Sequence, residues 1–160
     1  MIVEETNFEQ NPEIIRYRKA RAEGKRTVLF VCSGNAVRSQ IAEALVNHFL
    51  RTTWSAFSAG TLKTAVHPLV KKVMAEIGID MASQTSKSIE TFNGCRFDKV
   101  ITLCSDADEV CTYVPGLREK EHIPFLDPSL SYNLLLGGKT LFRKLRNEMK
   151  NKIIPLLEKL

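Results

Sequence analysis

Three histidines stand apart in this 160-residue chain, and none is spaced to share a metal with another. His48 falls in a helical pattern, His67 precedes Pro68 and His122 lies beside an apolar stretch, so each reads as a surface or structural residue. With no zinc-finger spacing, no metal or other cofactor is expected. No aromatic RNA-binding motif is present, which argues against a nucleic-acid partner. No apolar run approaches the ~20 residues of a membrane helix, and Met1-Ile2-Val3-Glu4-Glu5 is no secretory signal. Neither a membrane nor export is expected. Four cysteines without a signal or a disulfide-scaffold composition point to a reducing cytoplasm and to thiols kept for catalysis or redox work.

Composition is ordinary, 44% hydrophobic and 26% charged, as in a globular chain of one domain with a real core. A monomer is expected. The net charge of +5 is concentrated at the end: residues 139–160 hold seven basic and two acidic side chains. That stripe reads as a solvated helix face rather than a nucleic-acid site.

Asn11-Pro12-Glu13 signals a helix start, and Gly24 its stop, so residues 1–25 form a partly helical extension beside the core. Strands are predicted over 27–32, 54–59, 99–103 and near 121–123, with an alternating pattern in the second. Helices are predicted over about 38–51 (Ile41, Ala42, Leu45, Val46 and Phe49 inward), 68–77 and 139–160, the last bent or interrupted at Pro155. Strands alternating with helices imply an α/β domain over 26–160: an open four-stranded parallel sheet with helices on both faces. Ligands of such sheets lie beyond the carboxyl ends of the strands, where Cys32 and Cys104 would face one crevice.

Cys32 and Arg38 bracket the loop Ser33-Gly34-Asn35-Ala36-Val37 between the first strand and the helix that starts at Arg38 and Ser39. Backbone N–H groups of residues 33–39 and the positive helix end can cradle a tetrahedral oxyanion, and Arg38 offers it a planar fork of donors. The same field favours the Cys32 thiolate, to which Ser39 can donate. Gly34 and Asn35 tolerate the left-handed backbone such a loop needs.

Cys104 and Cys111 follow the third strand. Were they on one helix, their Cα atoms would be about 10.5 Å apart, beyond the roughly 4.4–6.8 Å of a disulfide. Oxidation would then unwind the segment, a redox switch; two unrelated buried cysteines remain open on spacing alone. Asp127, in an Asp-Pro turn, can hand a proton to a leaving oxygen if it reaches the Cys32 pocket. Cys95 is given no role.

Together, residues 28–43, Ser58-Ala59-Gly60, Gly78-Ile79-Asp80, Gln84-Thr85-Ser86, residues 100–108 with Cys111, Glu121-His122 and Asp127-Pro128 resemble the low-molecular-weight protein tyrosine phosphatase superfamily. Within it the likeness is to thioredoxin-coupled arsenate reductases. Phosphatases of the family share the Cys-x5-Arg loop and the Asp-Pro, but typically have tandem tyrosines where Ser129-Leu130 stands and lack the Cys104/Cys111 pair. The resemblance implies a phosphatase-like fold and reduction of arsenate by Cys32 as nucleophile, with Cys104 and Cys111 passing a disulfide outward to thioredoxin.

Two positions depart from that pattern. Val37 stands where many relatives have a second loop cysteine. Lys87 stands where some arsenate reductases have an acidic potassium ligand, while Asn35, Glu43 and Ser58 match the rest of that site. The Lys87 ammonium is expected to replace the cation beside Glu43. The alternatives are a phosphatase hydrolysing aryl phosphates through Cys32, and a non-enzymatic oxyanion-binding or redox-sensing module.

Overall fold

Val28-Leu29-Phe30-Val31 is apolar at every position, as a strand covered on both faces must be. In the computed structural model, which describes residues 8–104, 120–130 and 138–160, this run forms the middle of β1 (Arg26–Cys32). Around it lie β2 (Trp54–Gly60), β3 (Lys99–Thr102) and β4 (Lys120–His122), in the order β2-β1-β3-β4 with every neighbouring pair parallel. Val28, Leu29, Phe30 and Val31 are wholly buried, and burial of each side chain contributes roughly 1.5–3 kcal/mol. This is the expected open parallel α/β sheet.

The two-residue period of β1 divides the core. Val28, Phe30 and Cys32 point into a layer built by α2 (Arg38–Phe49), α3 (Pro68–Ala75) and α4 (Gly138–Glu158), through Ile41, Leu45, Met74, Phe142 and Met149. Leu29 and Val31 point the other way, toward Phe57, Phe92, Phe97 and α1 (Pro12–Ala22). Asn11 caps α1 as predicted, its side chain accepting from Glu13 N at 2.9 Å. As an addition to the core, α1 covers this second face. Ile14 is 1% exposed, and the Tyr17 ring meets the edges of Phe57 and Phe97 at 6.0 and 5.4 Å. The spacing of Ile14 and Tyr17 puts them on one face of an otherwise basic helix, too sparse a stripe to reveal burial.

Three other expectations change. β2 does not alternate; all seven residues are buried, because helices and turns cover both of its faces. Phe49 is 40% exposed and stacks under Lys150 Nζ, 4.6 Å from the ring centroid, since the last turn of α2 runs past the core. Pro155 does not interrupt α4, which continues to Glu158. Its cost of about 3 kcal/mol is offset by burial of Ile153, Ile154 and Leu157, and Trp54 Nε1 donates to Leu157 O at 3.3 Å.

Part of the basic stripe of α4 is also used internally. Glu76, at the end of α3, is gripped by Arg143, Arg146 and Lys139, and these cations lower its carboxyl to about 2. His67 caps α3, its Nδ1 accepting from Leu69 N at 3.1 Å. Cys95 is buried in the second layer, where desolvation raises its thiol above the ordinary range.

Candidate active site

The sheet order reverses at β1: the chain leaves it through α2 to pair with β2 on one side and returns to β3 on the other. The crevice beyond β1 and β3 is where open α/β sheets bind ligands. It is a cleft of about 880 Å³, and Cys32, Ser33, Arg38, Cys104, Phe125 and Asp127 all line it. The sequence placed Cys32, Arg38, Asp127 and Cys104 in one site, and the fold brings those four together. Cys111 lies outside the described residues.

The loop from Cys32 to Arg38 folds tightly because its neighbours lack bulk. Asn35 takes a left-handed φ of 49°. Gly60 sits directly beneath; a Cβ there would stand 2.7 Å from Asn35 N and 2.8 Å from Ser33 O. The backbone of residues 61–62 then holds the loop, Thr61 N donating to Cys32 O and Leu62 N to Ser33 O. Gly34 O accepts from Thr64 Oγ1 at 2.6 Å and Ser86 Oγ at 3.3 Å.

At the mouth of α2, where Val37 and Arg38 line the cleft, Val37 supplies no side-chain cap to the helix's first N–H groups. Arg38 Nη1 donates to Phe125 O at 3.3 Å and Nη2 reaches Asp127 Oδ2 at 3.5 Å. Arg38 Nε is the one buried side-chain nitrogen or oxygen among the described residues without a hydrogen-bond partner. A buried guanidinium with a free donor, beside open helix N–H groups, fits a tetrahedral anion. Ser33, Gly34, Ala36, Val37 and Arg38 border the cleft. Asn35 and Ser39 are fully buried and brace the loop from below.

That bracing runs to Cys32. Asn35 Oδ1 accepts from Lys87 N at 2.7 Å and Gln40 Nε2 at 2.9 Å, which orients the amide so that Nδ2 donates to Ser39 Oγ at 2.7 Å. Ser39 Oγ lies 2.8 Å from Cys32 Sγ, and its one hydrogen, not used toward Asn35, is available to a sulfur that can only accept, as a thiolate can. The hydroxyl is set as a donor to a thiolate. On the far wall, Cys104 Sγ lies 3.2 Å from Ser33 Oγ. Asp127 is oriented by Ser129, whose N and Oγ both donate to Oδ1.

Under the loop, Glu43 is 2% exposed. Its Oε2 accepts from Ser58 Oγ at 2.5 Å, with Lys87 Nζ 3.6 Å away, and its Oε1 accepts from Arg16 Nη2 at 2.7 Å. Burial raises the Glu43 carboxyl above its ordinary range, while Lys87 and Arg16 pull it down. Lys87 also donates to Thr85 O at 2.7 Å. A carboxylate already facing two cations does not suit a potassium ion, so the residues present do not fit one.

A profile described as low molecular weight phosphotyrosine protein phosphatase matches residues 27–160. The chain belongs to this family. An arsenate reductase of Halalkalibacterium halodurans is 36% identical over 84% of this chain and 96% of its own length. Among solved structures, an arsenate reductase in the phosphate binding state superimposes with a TM-score of 0.67 at 31% identity, covering 84% of this chain and 98% of that one. A thioredoxin-dependent arsenate reductase of Corynebacterium glutamicum gives 0.65 at 28% identity, covering 92% of this chain and 70% of that one.

The family match begins at residue 27, so α1 lies outside it. The sequence reading missed Arg16, Gln40 and Gln84 as parts of the loop's support. Gln40 Nε2 bonds Asn35 O, Asn35 Oδ1 and Thr85 O, and Gln84 Nε2 bonds Gln40 Oε1 at 2.8 Å. No signal in the sequence identifies Arg16, since its pairing with Glu13 three residues back reads as an ordinary helix surface.

Proposed function

We propose that this member of the phosphatase family reduces arsenate to arsenite, with Cys32, Cys104 and Cys111 as the relay and thioredoxin as reductant. The observation that carries the reading is the second thiol in the cleft: Cys104 shares the Cys32 crevice and rests on Ser33 of the loop itself. A phosphatase needs one cysteine there; a reductase needs another to take the first as its electrophile.

The oxyanion is held by the loop N–H groups and the Arg38 fork. Cys32 thiolate attacks arsenic, and a hydroxyl leaves as water with a proton from Asp127. Cys104 thiolate then attacks the Cys32 sulfur. A sulfur–sulfur bond forms, the sulfur–arsenic bond breaks, and its electron pair stays on arsenic, which departs as arsenite. Cys111 attacks Cys104, freeing Cys32 and leaving a Cys104–Cys111 disulfide. A dithiol of thioredoxin reduces that disulfide, so one arsenate consumes one dithiol and yields arsenite, water and oxidised thioredoxin. The chemistry suits the cytoplasm, where thioredoxin keeps such thiols reduced. Beneath the loop, we assign to Lys87 the charge that a bound cation supplies in some arsenate reductases.

The test compares two activities on one preparation: thioredoxin-dependent reductant consumption with arsenate, and hydrolysis of an aryl phosphate. Arsenate-dependent consumption supports the reading. Sustained hydrolysis with no such consumption replaces it with a phosphatase.

A further inference from the structure

Arg16 is the one residue of α1 that reaches the support of the catalytic loop, and it comes from outside the stretch shared with the family. Its two terminal nitrogens serve different ends. Nη1 donates to Ala56 O of β2 at 2.7 Å, and Nη2 is shared between Glu13 at 2.8 Å and the buried Glu43 at 2.7 Å. The guanidinium carbon also lies over Phe57, 3.9 Å from the ring centroid, so it cannot swing away without leaving that face. From Glu43 the chain of contacts continues without a gap: Ser58 and Lys87 on Oε2, Lys87 N on Asn35 Oδ1, Asn35 Nδ2 on Ser39 Oγ, and Ser39 Oγ on Cys32 Sγ.

We infer that Arg16 is a positioning residue for Cys32, acting from the N-terminal helix through Glu43. The physical reason is a division of labour around one carboxylate. Arg16 holds Oε1, which leaves Oε2 to Ser58, Lys87 and, at 3.5 Å, Gln84. Without Arg16, the buried carboxylate has a single nearby cation, and Lys87 is drawn between its two oxygens and off Thr85 O. Because the backbone N–H of Lys87 orients the Asn35 amide, a shift there turns the amide and loosens the Ser39 hydroxyl from the sulfur. The charged groups facing Glu43 are Glu13 and Arg16 from α1 and Lys87 from the segment after α3. The charged side chains lining the cleft around Cys32 are Arg38 and Asp127, with the Cys104 thiol beside them.

The experiment measures alkylation of Cys32 by iodoacetamide near neutral pH, read by mass spectrometry of its peptide. The inference rests on Cys32 being the reacting thiol, and this readout reports that sulfur whether or not arsenate is the substrate. In Arg16→Met the rate falls about tenfold, and kcat for the oxyanion substrate falls with it more than KM changes. Arg16→Lys, which keeps the cation, regains most of the rate. Tyr17→Phe removes a different polar anchor of α1, at Arg96, and leaves the Cys32 rate unchanged. Arg16→Met/Glu43→Gln leaves Lys87 without its carboxylate just as Glu43→Gln alone does, and alkylates no more slowly than that single variant. A wild-type rate in folded Arg16→Met overturns the inference. So does a Tyr17→Phe rate as slow as that of Arg16→Met, or a double variant slower than Glu43→Gln by the full Arg16 effect.

Discussion

Lys87 Nζ stands 3.6 Å from Glu43 Oε2, with the two side chains only 6% and 3% exposed. Breaking a buried pair by removing one partner costs more than the pair itself contributes, because the other charge is left in a poor solvent.

Lys87→Met is therefore expected to lower stability by about 3 kcal/mol, with Arg16 moderating the loss. The deficit follows the charge on Glu43. Burial raises that carboxyl in the folded state, so stability from its protonation is present at acid pH and lost as pH rises through its folded value. Losing Lys87 raises it further, so the variant's deficit shrinks toward acid pH and widens toward neutrality. Denaturant midpoints across that range check the sign.

Exchanging potassium for sodium is expected to leave activity and melting temperature of the unaltered protein unchanged, since Lys87 and Arg16 already face Glu43. Lys87→Asp removes the resident cation and makes both quantities respond to potassium. A potassium response in the unaltered protein contradicts the assignment.

Cys104→Ser and Cys111→Ser are each expected to abolish arsenate turnover while aryl phosphate hydrolysis stays near its starting value, because only reduction needs the later thiols. Loss of both activities together would count against this division. Arg38→Lys replaces a planar fork by a point charge and is expected to cost about 100-fold in kcat/KM for either oxyanion.

Gly60→Ala places a Cβ 2.5 Å from Leu62 O, 2.7 Å from Asn35 N and 2.8 Å from Ser33 O, all of them backbone atoms that cannot step aside singly. The loop must move as a unit. A loss of 1–3 kcal/mol, on the order of other overpacked sites, and an activity drop of about 100-fold are expected, measured by calorimetry and steady-state rates.

Glu76 shows the opposite pH dependence to Glu43. Its carboxyl is lowered from 4.5 to about 2 by Arg143, Arg146 and Lys139, so its contribution is present above 4.5 and lost as pH falls toward 2. Glu76→Gln is expected to flatten that acid limb of the melting curve and leave activity at neutral pH intact.

Much of this was legible along the chain. The apolar run of β1, the Cys-x5-Arg spacing and the Asn-Pro and Gly-stop signals are local patterns with local causes, and they located the first strand, the loop between Cys32 and Arg38 and the helix ends. Lys87 beside Glu43 came from a family pattern, and the geometry places them together. Arg16 was not legible: its partner is 27 residues away, and on its own helix it looks like one more solvated cation. The cover provided by Ile14 and Tyr17 was hidden for the same reason, as was the continuation of α4 through Pro155, where distant packing outweighs a local preference. The sequence by itself determined which groups could do chemistry, because reactivity belongs to residue type and short spacing. Only the tertiary structure decided what holds them, because the charge balance around a buried carboxylate depends on which distant cations the fold brings to it.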